Sequence, residues 1–303
     1  MSKLFILGNG FDLAHKLKTS YEDFHQYLKE KYSVNDEEDL YNIPEAALLP
    51  DGSEYYDYEE VAKLLIYVIS VAEGLGNKWS NFEDSLGELD FDGHLSFYGD
   101  VYEENPWKKV YLNEDISLNL YSCALKVKDL FSDWINSINI NKCKKNSVFN
   151  SLIDSQKDTF LTFNYTHVLE SIYKAKNVFH IHGEQNSEII IGHGYGSRSF
   201  KEKYLGAELN LNNIHEGLKK NTCEIIKNSD FFVRNLISIK EIYSYGFSFS
   251  KADYPYIVEI CKKLSTNDVI WYLSRYEDEA TRDNYKVTIR SAGFKGRFKV
   301  FNI

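Results

Sequence analysis

The apolar run Leu4-Phe-Ile-Leu7, stopping at Gly8-Asn9-Gly10, constrains this chain more than any other feature. Four apolar residues without alternation suit a strand buried on both faces, as in a parallel sheet, and the glycines let the backbone turn sharply into a helix. Parallel strands need crossovers, so the expected class is α/β. Further strand-like segments are Thr159–Phe163, Val178–Ile181, Ile189–Ile191, Ile242–Tyr245, Val269–Leu273 and Phe298–Phe301, each bounded by Gly, Asn or charged residues. Helical spacing over 167–174, 253–264 and 277–291 supplies crossovers. From Tyr21 to Lys157 no strand signal occurs; helices are expected after the cap Ser20/Asp23, over Tyr58–Ala72 and over Glu114–Ile138. The stretch Val34–Tyr58, with Pro44 and Pro50, reads as a polar loop or lid. The pattern predicts a mostly parallel sheet with a large helical insertion after the first strand. Residues 1–20 and 158–303 would form a nucleotide-binding domain and 21–157 the insertion.

Charge narrows the partners. Lys and Arg total 35 against 45 Asp and Glu, a formal net charge of −10, which repels nucleic-acid phosphates, and the C-terminal cluster from Arg275 to Lys299 reads as a solvated face. Nucleic acid is therefore not the expected partner. Cys123, Cys143, Cys223 and Cys261 never approach Cys-x-x-Cys spacing, so neither a metal nor a disulfide is expected. The N-terminal run ends without a cleavage site, and Leu64–Ala72 falls short of the roughly 20 residues needed to span a membrane. The chain is expected in the cytoplasm, away from membranes.

Strand ends are where a parallel sheet gathers ligand contacts. Backbone amides at Gly8, Asn9 and Gly10 could meet a phosphate, or the turn could simply pack strand against helix. Leu13 and Ala14 stand where a third glycine of the dinucleotide fingerprint would fall, which disfavours a dehydrogenase. Asp12, following Phe11, reads either as a ribose ligand or as a helix cap. Asn164 ends the strand Thr159–Phe163, where its amide could orient a ribose hydroxyl or a water; Asn is also a common turn residue. In His180-Ile-His182-Gly183 the two imidazoles alternate, so His180 could be the buried partner and His182 the exposed one, with Gly183 admitting a substrate. Gly246-Phe-Ser248 ends another strand, and Ser250 or Asp253 would cap the helix after it. In one sheet, Gly8, Asn164, His182 and Ser248 would surround a single crevice.

Ile-Leu-Gly-Asn-Gly-Phe-Asp-Leu-Ala-His near the N-terminus, Leu17-Lys-Thr-Ser-Tyr-Glu-Asp-Phe24, Phe160-Leu-Thr-Phe-Asn-Tyr-Thr, His180-Ile-His-Gly, Ile191-Gly-His-Gly and Tyr245-Gly-Phe-Ser-Phe-Ser together resemble the AbiH family of bacteriophage abortive-infection proteins. More remotely, the motifs are similar in order and type to those of sirtuins and sirtuin-like NAD hydrolases of bacterial defence. That likeness implies a sirtuin-like, Rossmann-like fold with NAD as substrate. It places a glycine-rich cofactor loop at Gly8–Gly10, Thr162 and the catalytic Asn at Thr162–Asn164, the catalytic His at His182, and a cofactor-binding Gly-Thr-Ser at Gly246–Ser248. Thr166 stands where sirtuins carry an acid, and their four-cysteine zinc module is missing, so the likeness points to cleavage of NAD itself rather than protein deacetylation. The expected activity is hydrolysis of the nicotinamide–ribose bond, with binding of NAD or a nucleotide signal without catalysis as the alternative. A phage-derived trigger, a partner protein and self-association are left open.

Overall fold

A computed structural model describes residues 3–34, 42–74, 79–99, 105–200, 204–234, 236–264 and 266–303. Its strands, in chain order, are β1 (Leu4–Leu7), β2 (Ala47–Leu48), β3 (Glu54–Tyr55), β4 (Thr159–Thr162), β5 (Asn177–His180), β6 (Glu241–Tyr245), β7 (Ile270–Ser274) and β8 (Arg297–Phe301). The chain divides into two compact units. One comprises Met1–Thr19, Ile135–Ile190 and Asn221–Ile303; the other comprises Ser20–Trp134 and Ile191–Lys220. Residues 135–157, grouped by sequence with the insertion, thus belong to the first unit, and 191–220 to the second.

The first unit is built on a six-stranded sheet in the order β5-β4-β1-β6-β7-β8. Every adjacent pair is parallel. Counted within the sheet the order is 3-2-1-4-5-6, so the direction of winding reverses between β1 and β6. β1 is wholly buried because both its faces are covered. Leu4 and Ile6 pack with Ile242, Trp271 and the helices Tyr254–Lys263 and Glu279–Ser291. Phe5 and Leu7 pack with Phe11, Phe149, Phe160 and the helix Val168–Tyr173. The period of two thus sorts neighbouring residues into two cores, the physical content of the continuous apolar run.

Cross-strand aromatic pairs fix the register. Phe160, Phe5, Tyr243 and Tyr272 stack in sequence across four strands, with ring centroids 5.2, 5.0 and 4.3 Å apart. A slip of one residue in any strand would move its ring to the opposite core. Trp271 donates its indole N–H to the buried Ser244 hydroxyl at 2.7 Å, satisfying the one polar atom of its ring.

Ile189–Ile191 is not a strand. Gly183 turns the chain with φ +86°, and Ile190 N–H bonds back to the His182 carbonyl at 2.8 Å, so the segment folds onto the preceding loop rather than joining the sheet.

The second unit is largely helical. Ser20 and Asp23 form a reciprocal capping box opening the helix Tyr21–Tyr32, and Asp57 caps Tyr58–Ala72. The expected helix Glu114–Ile138 is two helices, Pro106–Leu125 and Val127–Ser137, which meet at Lys126. The loop expected over 34–58 lies outside the described residues between 35 and 41; beyond them it contains the hairpin of β2 and β3. No described helix is long and apolar enough to cross a membrane.

Candidate functional site

The carboxyl ends of β1 and β6 meet backbone to backbone. A Cβ on Gly8 would lie 2.4 Å from the Gly246 carbonyl oxygen, and one on Gly10 would lie 2.6 Å from Gly246 Cα. Gly246 itself sits at φ +62°, and a Cβ there would lie 2.4 Å from Phe11 N. Only glycine fits at the three positions. The contact also uses their polar groups: Gly8 N–H donates to the Tyr245 carbonyl at 3.1 Å and Gly10 N–H to the Gly246 carbonyl at 3.0 Å. A phosphate approaching these two amides would have to replace those bonds. Asn9 faces away from that role too, its side-chain amide donating to the Thr19 carbonyl at 2.7 Å.

One turn further on lies Asp12, in the short helix Asn9–Ala14 and 2 % exposed. Asn164 Nδ2 donates to its Oδ1 at 3.1 Å, and the Thr166 hydroxyl donates to its Oδ2 at 2.7 Å. Burial, outweighing these two hydrogen bonds, pushes the carboxyl up to about 7. Asp12 therefore stands near half-protonation at neutral pH, the condition in which a carboxyl group exchanges protons most readily. Asn164 is held from both sides, because its own N–H donates to Thr162 Oγ1 at 3.1 Å. Its carbonyl accepts from His180 Nδ1 at 2.8 Å. His180 Nε2 lies 2.9 Å from Glu170 Oε1 and 3.7 Å from Glu184 Oε2, and the ring's pKa is raised: the bond and the charge of Glu170 outweigh a large opposing effect of burial. His167 Nε2 lies 3.1 Å from Glu184.

His182 faces a different neighbourhood. Its ring lies edge-on to Phe163 at 5.2 Å, with Nε2 3.2 Å from the Tyr256 hydroxyl and 3.7 Å from Asp253. Asp253 is positioned by Ser250, whose hydroxyl donates to it at 3.0 Å while accepting Asp253 N–H. His182 is 3 % exposed, contrary to the exposed position expected for it. Gly183 serves packing rather than substrate approach, since a Cβ there would strike the Glu188 carbonyl.

The residues singled out by sequence thus fall into three settings. Thr162, Asn164 and Asp12 share one hydrogen-bonded cluster; Gly8, Gly10, Phe11 and Gly246 form the close crossing beneath it; His182 has its own partners, and Ser248 is exposed. Sequence reasoning gave Thr166 and His180 no chemical role and passed over Glu170, Glu184 and His167. For His180 the sequence signal was its place in the strand-like run Val178–Ile181; the structure adds that it aligns with Thr162 in the β4–β5 register, two residues before Asn164. The Gly192-His193-Gly194 motif lies in the second unit, where His193 is fully buried and donates to the His215 carbonyl at 2.8 Å. Tyr195 N–H bonds its other nitrogen, and burial pushes the ring down to about 4, so it stays neutral and structural.

The family model described as "Bacteriophage abortive infection AbiH" matches residues 4–275. No curated protein and no solved structure matches the chain.

Proposed function

The chain belongs to the AbiH family of bacteriophage abortive-infection proteins, and from that membership we propose that it acts in the cytoplasm as a defence effector that hydrolyses NAD at the nicotinamide–ribose bond. The observation carrying this reading is the cluster of Asp12, Asn164 and Thr166 at the carboxyl ends of β1 and β4. It stands beside the point where the strand order reverses, the place where sheets of order 3-2-1-4-5-6 receive dinucleotides. That order also supports a Rossmann-like, sirtuin-like descent for the fold.

The chemistry asks little of an acid. Nicotinamide leaves from a cationic ring, so its departure needs no protonation, and what the enzyme must stabilise is the positive ribose left behind. Asp12 in its ionised form supplies negative charge at that point. Asn164, clamped by Asp12 and Thr162, orients the ribose hydroxyls or the attacking water. His182, paired with Asp253 and Tyr256, takes the water's proton. The loop Gly246–Ser248 and the turn Gly8–Gly10 contact the remainder of the cofactor once their mutual bonds open.

One observation favours a second reading, a nucleotide sensor that acts through a partner. Asp12, Asn164 and His182 are 2, 6 and 3 % exposed, so a ligand reaches them only through a rearrangement that could itself be the signal. Fluorescence of an etheno-NAD analogue, read on the full chain with and without extract of phage-infected cells, separates the two. Hydrolysis is expected, with Asn164→Ala and His182→Gln lowering turnover about 100-fold or more. Unchanged turnover in both variants, each checked for folding by circular dichroism, overturns the catalytic assignment. Stoichiometric binding by calorimetry with no product in either condition selects the sensor.

A further inference from the structure

We propose that His180, Glu170 and Glu184, with His167 bonded to Glu184 beside them, form a binding site for a divalent cation of the zinc class, independently of the NAD reading. Three elements of local structure converge there. His180 is the last residue of β5, and Glu184 follows four residues later, past the left-handed turn at Gly183. His167 and Glu170 are the N-cap and a first-turn residue of the helix Val168–Tyr173, a spacing of three that sets them on one face. Donor atoms of His180, Glu170 and Glu184 all lie within 4.8 Å of one another.

The spacing suits one ion. Ligands bonded at about 2.0–2.1 Å in a tetrahedron stand about 3.3 Å apart. The observed separations are 2.9 Å from His180 to Glu170 and 3.7 Å from His180 to Glu184, while His167 holds Glu184 from the side at 3.1 Å. The orientation of His180 is a second, separate argument. Its Nδ1 lies 2.8 Å from the Asn164 carbonyl, which can only accept, so Nδ1 carries a proton and Nε2 faces the carboxylates, with a lone pair toward them whenever the ring is neutral. A lone pair facing a carboxylate oxygen is repulsive unless a proton or a cation lies between them. Glu170 Oε2 adds a third argument: it is a buried oxygen without a hydrogen-bond partner. An imidazole nitrogen beside two carboxylates favours a borderline first-row ion over magnesium or calcium, which take oxygen ligands. Bound there, the ion would fix the ring that holds the Asn164 carbonyl and hence the segment reaching Asp12.

The test uses the full chain stripped with a chelator and titrated with Zn2+ against a chromogenic indicator, with Co2+ absorption reporting nitrogen ligation. One Zn2+ per chain is expected, with affinity falling at least about 10-fold in Glu184→Gln and in His167→Ala. Both residues are partly exposed, and circular dichroism confirms that the variants fold. Absence of Zn2+ binding by the wild type overturns the site. So does equal affinity in the double variant, or equal competition by Mg2+. A His180 ring that remains doubly protonated by NMR at stoichiometric Zn2+ also overturns it, assigning Nε2 to an ion pair with Glu170 instead.

Discussion

His180 and His182 stand two residues apart at the same strand end, yet they do different work. His180 joins a polar system in which carboxylates, an amide and a hydroxyl are linked from Asp12 to His167. His182 lies against Phe163 and Tyr256, within the core formed by Ile257, Ile260 and Trp271. The difference teaches that alternation along a strand sorts side chains by face but does not say which face carries the charge. Both rings are buried, so exposure cannot distinguish them either; their partners do. Removing the ring of His182 should therefore damage packing first. His182→Ala is expected to lower stability by about 3 kcal/mol, the scale of losing a large side chain from a core, measured by urea denaturation. A loss below about 1 kcal/mol would mean that the ring contributes little to the core, and the contrast between the histidines would have to be redrawn.

The polar side of the comparison depends on Asn164. Asn164→Ala removes one of the two bonds to Asp12 and leaves a buried carboxyl oxygen without its donor, at a cost of about 2 kcal/mol. The same substitution should raise the Asp12 pKa further, because that bond favours the charged form. Infrared titration of the carboxyl band reads this rise, and an unchanged midpoint would make Asn164 only a turn residue.

Much of the fold could be read from particular residues. The run Leu4–Leu7 and the aromatic and β-branched residues of β4, β6 and β7 announce strands because both faces of a parallel sheet are buried, and the helices expected over 253–264 and 277–291 follow from spacing, although Asp253 makes no side-chain cap bond. Ile189–Ile191 misled because three β-branched residues satisfy strand propensity while the Gly183 turn, a nonlocal matter of where Glu188 packs, withdraws them from the sheet. The site was harder. Asn164 and Asp12 were visible as polar residues at strand ends, but their bond spans 152 positions of sequence and no local pattern announces it. Thr166 appeared only as a departure from a family motif; in the structure its hydroxyl holds the second oxygen of Asp12. The glycines were recognised as necessary, for a reason only the β1–β6 crossing supplies.

Protonation offers a finer probe of the same contrast. A group whose pKa is higher in the folded state binds its proton more tightly there. Its contribution to stability is complete below the unfolded value near 3.8 and is lost as pH rises toward about 7. Asp12→Asn removes this dependence. Compared with the wild type, the variant should gain roughly 2–3 kcal/mol between pH 5 and pH 8, about 1.4 kcal/mol per pH unit up to the folded value, while the poorer bonding of the new amide to Asn164 and Thr166 lowers stability equally at both pH values. Thermal melts of the chelator-treated proteins at the two pH values measure the gain, and a difference independent of pH would place the Asp12 carboxyl in contact with water.

The smallest effect is expected at the edge of the polar system. Glu184 and His167 are 45 % and 31 % exposed in their side chains, so solvent screens their pairing. Glu184→Gln in the metal-free chain should change stability by less than about 1 kcal/mol. With Zn2+ in excess the wild type should gain more in melting temperature than the variant, because an ion that binds only the folded state adds its binding free energy to stability. The variant would then fall behind by an amount that grows with Zn2+ concentration until both proteins are saturated. A gap that stays constant as Zn2+ is raised would make Glu184 an ordinary surface partner of His167 and confine the polar system to residues from Asp12 to Glu170.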